Sequence, residues 1–478
     1  MSISIHKLNK ISGKENLLVF ANNVEQLKDL ALSKPEFDFV KTQIKDDKKK
    51  VFVNQYHRQI VILINETKDE LFISLEKLRK SGNAFQKFFN DEKAKSISII
   101  DFANDPLKTI ALLEGIELGN YQFLKYKSEK KTNTLTEIKL YSNSVKTDDI
   151  LKLNIIIEAT LKARDLINEP LSYLTAEVLS EQIQKMGKEA GFNVEVFNKI
   201  KIESLKMGGL LAVNKGSIDP PTFNILEWNP EKAKNKKPII LVGKGIVFDT
   251  GGMNLKPGSS MDGMKCDMSG AAAVASAIYA VAKAKLPYHV IGLIPATDNR
   301  PDGNAYVPGD ILKMHDGTTV EVFSTDAEGR LILADALSYA KKYKPEVVID
   351  IATLTGAASR AIGKYGIVAM GNNEPLMRKL KNSGEAVNER IAEFPFWDEY
   401  AELIKSEIAD LKNIGGVEAG AITAGKFLEH FTSYPWVHLD IAGPAFVESK
   451  YNYRGIGGTG VGVRLFFDFI ANYSNKDK

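Results

Sequence analysis

The chain has 478 residues, 44% hydrophobic and 26% charged, an ordinary globular balance that is long enough for two or three domains. Lys and Arg number 63 and Asp and Glu 60, so the formal net charge of +3 is too small to demand an acidic partner, and a single cysteine excludes an intramolecular disulfide. No apolar run reaches membrane length and MSISIHKLNKISGKENLLVF lacks the apolar centre of a signal peptide, so a cytoplasmic protein without a membrane partner is expected.

Residues 1–147 alternate strand-like segments (17–20, 59–64, 96–102, 136–141) with helical ones (24–32, 74–80, 106–118), which predicts a small α/β domain. It contains no glycine-rich phosphate loop. Its basic runs at 45–50 and 125–131 read as solvated turns, with no nucleic-acid motif beside them. Residues 148–170 predict a connecting helix, with Ile150, Leu153, Ile157, Leu161 and Leu166 on one side and Pro170 at its end. Residues 171–478 alternate helical and apolar strand segments (176–190, 193–197, 222–227, 239–242, 347–351, 438–441). That is the pattern of a mostly parallel sheet flanked by helices.

Three segments of this larger domain gather charge at the ends of apolar runs: KPIILVGKGIVFDTGGMNLKP, MDGMKCDMSGAAAV and FSTDAEGRLILADAL. In the first, the run 239–242 stops at Gly243, Lys244 and Gly245, and Asp249 follows, so ionisable groups arrive where open α/β sheets bind ligands. In the second, Asp262 and Asp267 precede an alanine-rich helix at 271–284. In the third, Asp326 and Glu328 lie two apart between a strand and a helix, where extended backbone would point both at one centre. Singly, Asp262 or Asp267, an aspartate ahead of a helix, reads as a helix cap. Together, Asp249, Asp267, Asp326 and Glu328 are four converging carboxylates that need cations to remain ionised, and two divalent ions about 4 Å apart form the usual clamp for hydrolysis.

None of these segments contains histidine. His289, His315, His430 and His438 are scattered and read as core or surface residues. Cys266, beside Asp267, reads as a small buried residue behind a ligand.

The octapeptide STDAEGRL resembles the NTDAEGRL signature of the leucyl aminopeptidase family, cytosolic di-zinc exopeptidases of the aminopeptidase A type. GKGIVFDTGGMNLKP and MDGMKCDMSGAAAV resemble the family's other metal-site segments, and the similarity continues through VVIDIATLTGA and WVHLDIAGPAF, over roughly 163–467. The resemblance implies a macro-like fold for the smaller domain. It implies Lys244, Asp249, Asp267, Asp326 and Glu328 as ligands of two divalent ions (Zn²⁺ or Mn²⁺, with Mg²⁺ or Co²⁺ as alternatives), Asp249 and Glu328 bridging. A ligating lysine must be a neutral amine; from charge alone Lys244 would be a counter-ion. Lys256 and Arg330 are implied as the catalytic pair, Arg330 holding bicarbonate as general base, and Met264, Thr353, Gly356 and Ala442 as the pocket for a first residue such as Leu or Met. Asp262 stays a neighbour of the ligands or a cap. All seven functional positions are intact, and Ser324 in place of the signature Asn is the one departure.

The expected activity is removal of amino-terminal residues from short peptides in intracellular peptide turnover, by a homohexamer built as a dimer of trimers. A narrow Cys-Gly-type dipeptidase and a DNA-binding regulator are the alternatives.

Overall fold

The computed structural model describes residues 3–10, 15–65 and 69–473. The extreme ends of both expected domains, 1–2 and 474–478, lie outside them. The described chain divides into two compact units, 1–158 with 450–455, and 159–449 with 456–478.

The first unit holds six strands: β1 (Ser4–Lys7), β2 (Leu17–Ala21), β3 (Lys50–Asn54), β4 (Gln59–Ile64), β5 (Ser96–Asp101) and β6 (Glu137–Ser142). Their order is β1-β6-β5-β2-β4-β3, all pairs parallel except β3 against β4. The sequences LLVFA and QIVILI are apolar almost throughout, as strands buried on both faces require, whereas the edge strand β3 alternates. Two expectations need correction. The helix expected at 24–32 is a single 3₁₀ turn, Val24–Leu27, and a helix that was not expected follows at Lys34–Lys45. Its start is written as Ser33-Lys-Pro-Glu36, a capping box in which the Glu36 carboxylate accepts from the Ser33 N–H at 2.6 Å.

The helix Thr147–Asn168 leads into the second unit. Its large sheet is built from β7 (Asn193–Phe197), β8 (Thr222–Trp228), β9 (Ile239–Gly243), β10 (Gly245–Asp249), β11 (Val290–Asn299), β14 (Val347–Ala352), β15 (Ile367–Gly371), β16 (Ile391–Glu393) and β18 (Trp436–Asp440). A small separate sheet is formed by β12 (Ile311–Lys313), β13 (Thr319–Glu321) and β17 (Leu411–Lys412). The large sheet runs β16-β15-β18-β14-β9-β11-β8-β7, with β10 beside β11. Its centre, β18-β14-β9-β11, is parallel, and the flanking pairs β15–β18, β11–β8 and β7–β8 are antiparallel.

β9 and β14 are buried along their whole length, and Ile240, Val242 and Val348 pack against Leu331, Leu333 and Leu337 of the helix Glu328–Ala340. Each such side chain contributes roughly 1.5–3 kcal/mol, so this helix and the carboxylate at its head are rigidly attached to the sheet. Lys244, Asp249, Asn299, Thr353 and Ala442 all stand at or just beyond the carboxyl ends of β9, β10, β11, β14 and β18. That edge is where a parallel sheet presents ligand-binding groups.

Candidate metal centre

At Gly243 the backbone passes so close to the helix Ser269–Lys283 that an added Cβ would lie 2.5 Å from the Gly270 carbonyl oxygen. The chain does not leave the sheet at Lys244, as the glycines suggested, but bends there and resumes as β10. Lys244 is thereby aimed across the sheet end. Its Nζ lies 2.7 Å from Asp267 Oδ2 and 2.9 Å from Glu328 Oε1, and donates to the Thr353 carbonyl at 2.9 Å. Thr353 Oγ1 donates to Asp267 Oδ1 at 2.7 Å, so the pocket-side strand β14 is tied into the same group.

Asp249, at the end of β10, accepts on Oδ1 from the Gly251 N–H and from Asn299 Nδ2, both at 2.8 Å. Its Oδ2 lies 2.7 Å from Lys256 Nζ, which also lies 2.6 Å from Asp326 Oδ1. Asp326 and Glu328 do not sit on the extended backbone that would have pointed both at one centre. Asp326 is in a 3₁₀ turn, Thr325–Ala327, capped by Ser324 Oγ, and Glu328 is the first residue of the helix Glu328–Ala340. The turn brings one oxygen each of Asp249, Asp326 and Glu328 within 4.8 Å of one another.

The electrostatics are those of crowded carboxylates. Burial, reinforced by Glu328, pushes Asp249 up to about 6 despite Lys256 and Lys244. Burial also pushes Asp267 well above the usual range against the pull of Lys244. For Glu328 burial acts upward too, but Lys244 and Lys256 outweigh it and hold it low. Burial alone would lower Lys244, yet Asp267, Glu328 and Asp249 raise it above an ordinary lysine, so without ions it is a firm ammonium. Burial pushes the half-buried Cys266 thiol up to about 12, with Asp267 adding to it, and no thiolate forms at neutral pH.

The residues fit divalent ions on three counts. Four carboxylates face two ammonium groups, leaving two negative charges unbalanced. Glu328 Oε2 is buried and makes no hydrogen bond. Oxygen donors of this kind suit Zn²⁺, Mn²⁺ and Mg²⁺ alike. Arg330, two residues on, is buried; burial lowers its guanidinium to about 10, so it stays protonated at neutral pH. Its Nη1 donates to the Asn413 carbonyl at 2.6 Å, while its Nε makes no hydrogen bond.

Asp440 draws the remaining pocket candidates together: it accepts from Thr355 Oγ1 at 2.7 Å, the Ala442 N–H at 3.0 Å and the Leu354 N–H at 3.2 Å. Thr353, Gly356 and Ala442 therefore belong to one cluster of loops beyond β14 and β18, with Gly356 exposed at the head of the helix Gly356–Ile362. Met264 enters from another segment, opening the turn that carries Asp267. Asp262 is exposed after the turn Gly258–Met261. His438 is a core residue paired with Asp350 at 2.6 Å, His289 pairs with Glu227, and His315 with Ser338. Asn299, Asp440 and Asn413 escaped notice in the sequence because their bonds to Asp249, Leu354 and Phe323 span 50, 86 and 90 positions.

The cytosol aminopeptidase family, catalytic domain, matches residues 161–467. A probable cytosol aminopeptidase of Chloroherpeton thalassium is 46% identical over 406 residues, covering 80% of this chain and 78% of the relative. Another, from Chlorobaculum tepidum, is 50% identical over 379 residues, covering 76% and 75%. Among solved structures, a tomato leucine aminopeptidase mutant superposes with a TM-score of 0.87 at 27% identity, over 98% of this chain and 97% of its own. The bottromycin maturation enzyme BotP in complex with Mn gives 0.83 at 27% identity, over 96% and 99%. The chain therefore belongs to the cytosol aminopeptidase family and is a metal-dependent hydrolase that releases residues from the amino termini of peptides.

Proposed function

We propose that two divalent ions are held by the carboxyl edge of the large sheet, one by Asp249, Asp326 and Glu328 and the other by Lys244, Asp249, Asp267 and Glu328. The observation that carries this is the convergence of the first three carboxylates within 4.8 Å beside the Lys244–Asp267 pair. Zn²⁺ or Mn²⁺ suits the donors, and Mg²⁺ or Co²⁺ can exchange according to supply. When bound, such ions lower the pKa of water and polarise a carbonyl oxygen.

The chain's own residues supply the rest. Lys256, freed from Asp249 and Asp326 once their charge is balanced elsewhere, donates to the scissile carbonyl oxygen as negative charge develops on it. Arg330 remains cationic and offers an unbonded Nε, a donor suited to a planar anion such as bicarbonate, which would serve as the general base. Asp267, fixed by Thr353 and Lys244, links the ligands to the pocket of Met264, Thr353, Gly356 and Ala442. Small and apolar lining suits Leu or Met as the first residue.

The setting we propose is cytoplasmic turnover of short peptides by a homohexamer arranged as a dimer of trimers. No helix among the described residues is long and apolar enough to cross a membrane. Neither the narrow dipeptidase nor the DNA-binding alternative draws support from the relatives. Hydrolysis of Leu-p-nitroanilide beside its amino-blocked analogue tests the reading. Cleavage of the free amine alone, lost on chelation and restored by Zn²⁺ or Mn²⁺, is expected. Equal cleavage of the blocked substrate would refute recognition of the amino terminus.

A further inference from the structure

Asn413 lies in ADLKNIGG, outside the three charged segments, and follows β17 as a fully buried side chain. It works as an inserted peptide group. Its Oδ1 accepts from the Phe323 N–H at 2.8 Å and the Ser324 N–H at 3.2 Å, and its Nδ2 donates to the Ser324 carbonyl at 2.6 Å. Its own N–H is fixed by the Glu321 carbonyl at 3.0 Å, and its carbonyl accepts from Arg330 Nη1 at 2.6 Å. One residue thus grips both ends of the segment 324–330, and Asp326 and Glu328 lie between the two grips. The intervening 3₁₀ turn has little stability of its own. Asp326 has a side chain 40% exposed, so burial does not fix it either.

We propose that Asn413 is a positioning residue for the hydrolysis: it holds the backbone at Ser324 in register with Arg330 at the head of the helix, and so sets where Asp326, in the turn between, stands relative to Glu328 and Arg330. This rests on the assignment of those three residues to the metal centre. The chemistry selects asparagine. Alanine would leave the two N–H groups unpartnered and the Ser324 carbonyl with only the Ala327 N–H, at 3.4 Å, and aspartate would aim a lone pair at that carbonyl. The same grip holds the backbone of Ser324 from outside, and the Ser324 hydroxyl caps the turn by accepting from the Asp326 N–H at 3.2 Å.

The test compares Asn413→Ala, Asn413→Ser and Asp326→Ala with the parent full-length enzyme. Three quantities are measured: Mn²⁺ affinity by chelator competition, kcat and KM on Leu-p-nitroanilide, and thermal unfolding of the metal-free protein. Removing an outer partner of a metal site typically costs 10- to 100-fold, so Asn413→Ala should bind Mn²⁺ at least tenfold more weakly and lose at least tenfold in kcat, with KM within threefold. Asn413→Ser, whose hydroxyl can meet one of the three groups, should fall between, and it carries the test if the alanine variant does not fold. An Mn²⁺ affinity and a kcat per folded molecule within twofold of the parent, whatever the melting temperature, would overturn the proposal as a merely structural role. Should Asp326→Ala be inactive while both Asn413 variants are normal, only the positioning role fails; a fully active Asp326→Ala would instead sink the site assignment beneath it.

Discussion

Replacing Gly329 by alanine separates two forces that usually act together in a helix. Gly329 lies in the first turn of the helix Glu328–Ala340, where alanine is favoured over glycine by about 1 kcal/mol. An added Cβ, however, would stand 2.4 Å from Lys244 Cε and 2.6 Å from its Nζ. Ordinary carbon contacts lie at about 3.5–4.0 Å, so the end of Lys244 must retreat by more than about 1 Å. That retreat pulls Nζ from its positions 2.7 Å from Asp267 and 2.9 Å from Glu328. Complete loss of a buried pair costs about 3–5 kcal/mol, and a misplacement of about 1 Å can cost roughly 10²-fold in rate. We expect Gly329→Ala to lower kcat/KM on Leu-p-nitroanilide by about 100-fold and to lower the melting temperature of the metal-free protein, against its helix propensity. Activity within threefold of the parent, with an equal or higher melting temperature, would refute the packing of Lys244 against Gly329.

Lys256→Ala should retain both ions and lower kcat by about 10²–10³-fold, the usual loss for one donor to a developing oxyanion; loss of an ion in elemental analysis would make Lys256 a structural partner instead. The pH dependence follows from Asp249, pushed up to about 6 by burial and Glu328. Protons compete with cations for this carboxylate, so Mn²⁺ affinity should rise between about pH 4 and 6 and rise less steeply above; an affinity independent of pH there would contradict the assignment. The folded protein also holds this proton more tightly than the unfolded chain. This group's contribution to the stability of the metal-free protein therefore falls as pH rises through the same window, which acid-range melting curves can check.

Elements buried on both faces, or strongly periodic, were legible in the sequence: β4, β7 and the helix Ala176–Ala190 lie where apolar pattern and turn residues put them. The first unit was read less well because its early helix is half-exposed and only its capping box, not its periodicity, announces it. In the candidate metal centre, Asp249 at the end of a strand, Asp267 ahead of a helix, and Asp326 and Glu328 between strand and helix could be gathered from the charge at the ends of apolar runs. The 3₁₀ turn that aims Asp326 could not, since it depends on a cap from Ser324 and a clamp from Asn413, 89 residues away. Lys244 was a counter-ion by charge and is an ammonium between two carboxylates in this structure; only the family resemblance implies that it is a ligand.

The ion stoichiometry of three proteins tests the central claim most directly: the parent, Asp326→Ala and Asp267→Ala, each loaded with Zn²⁺, desalted and measured by elemental analysis. Asp326 is assigned to one ion only and Asp267 to the other. Two ions per chain in the parent and one in each variant is the predicted result. A parent that holds a single ion, or a variant that keeps both, would contradict the two-ion centre.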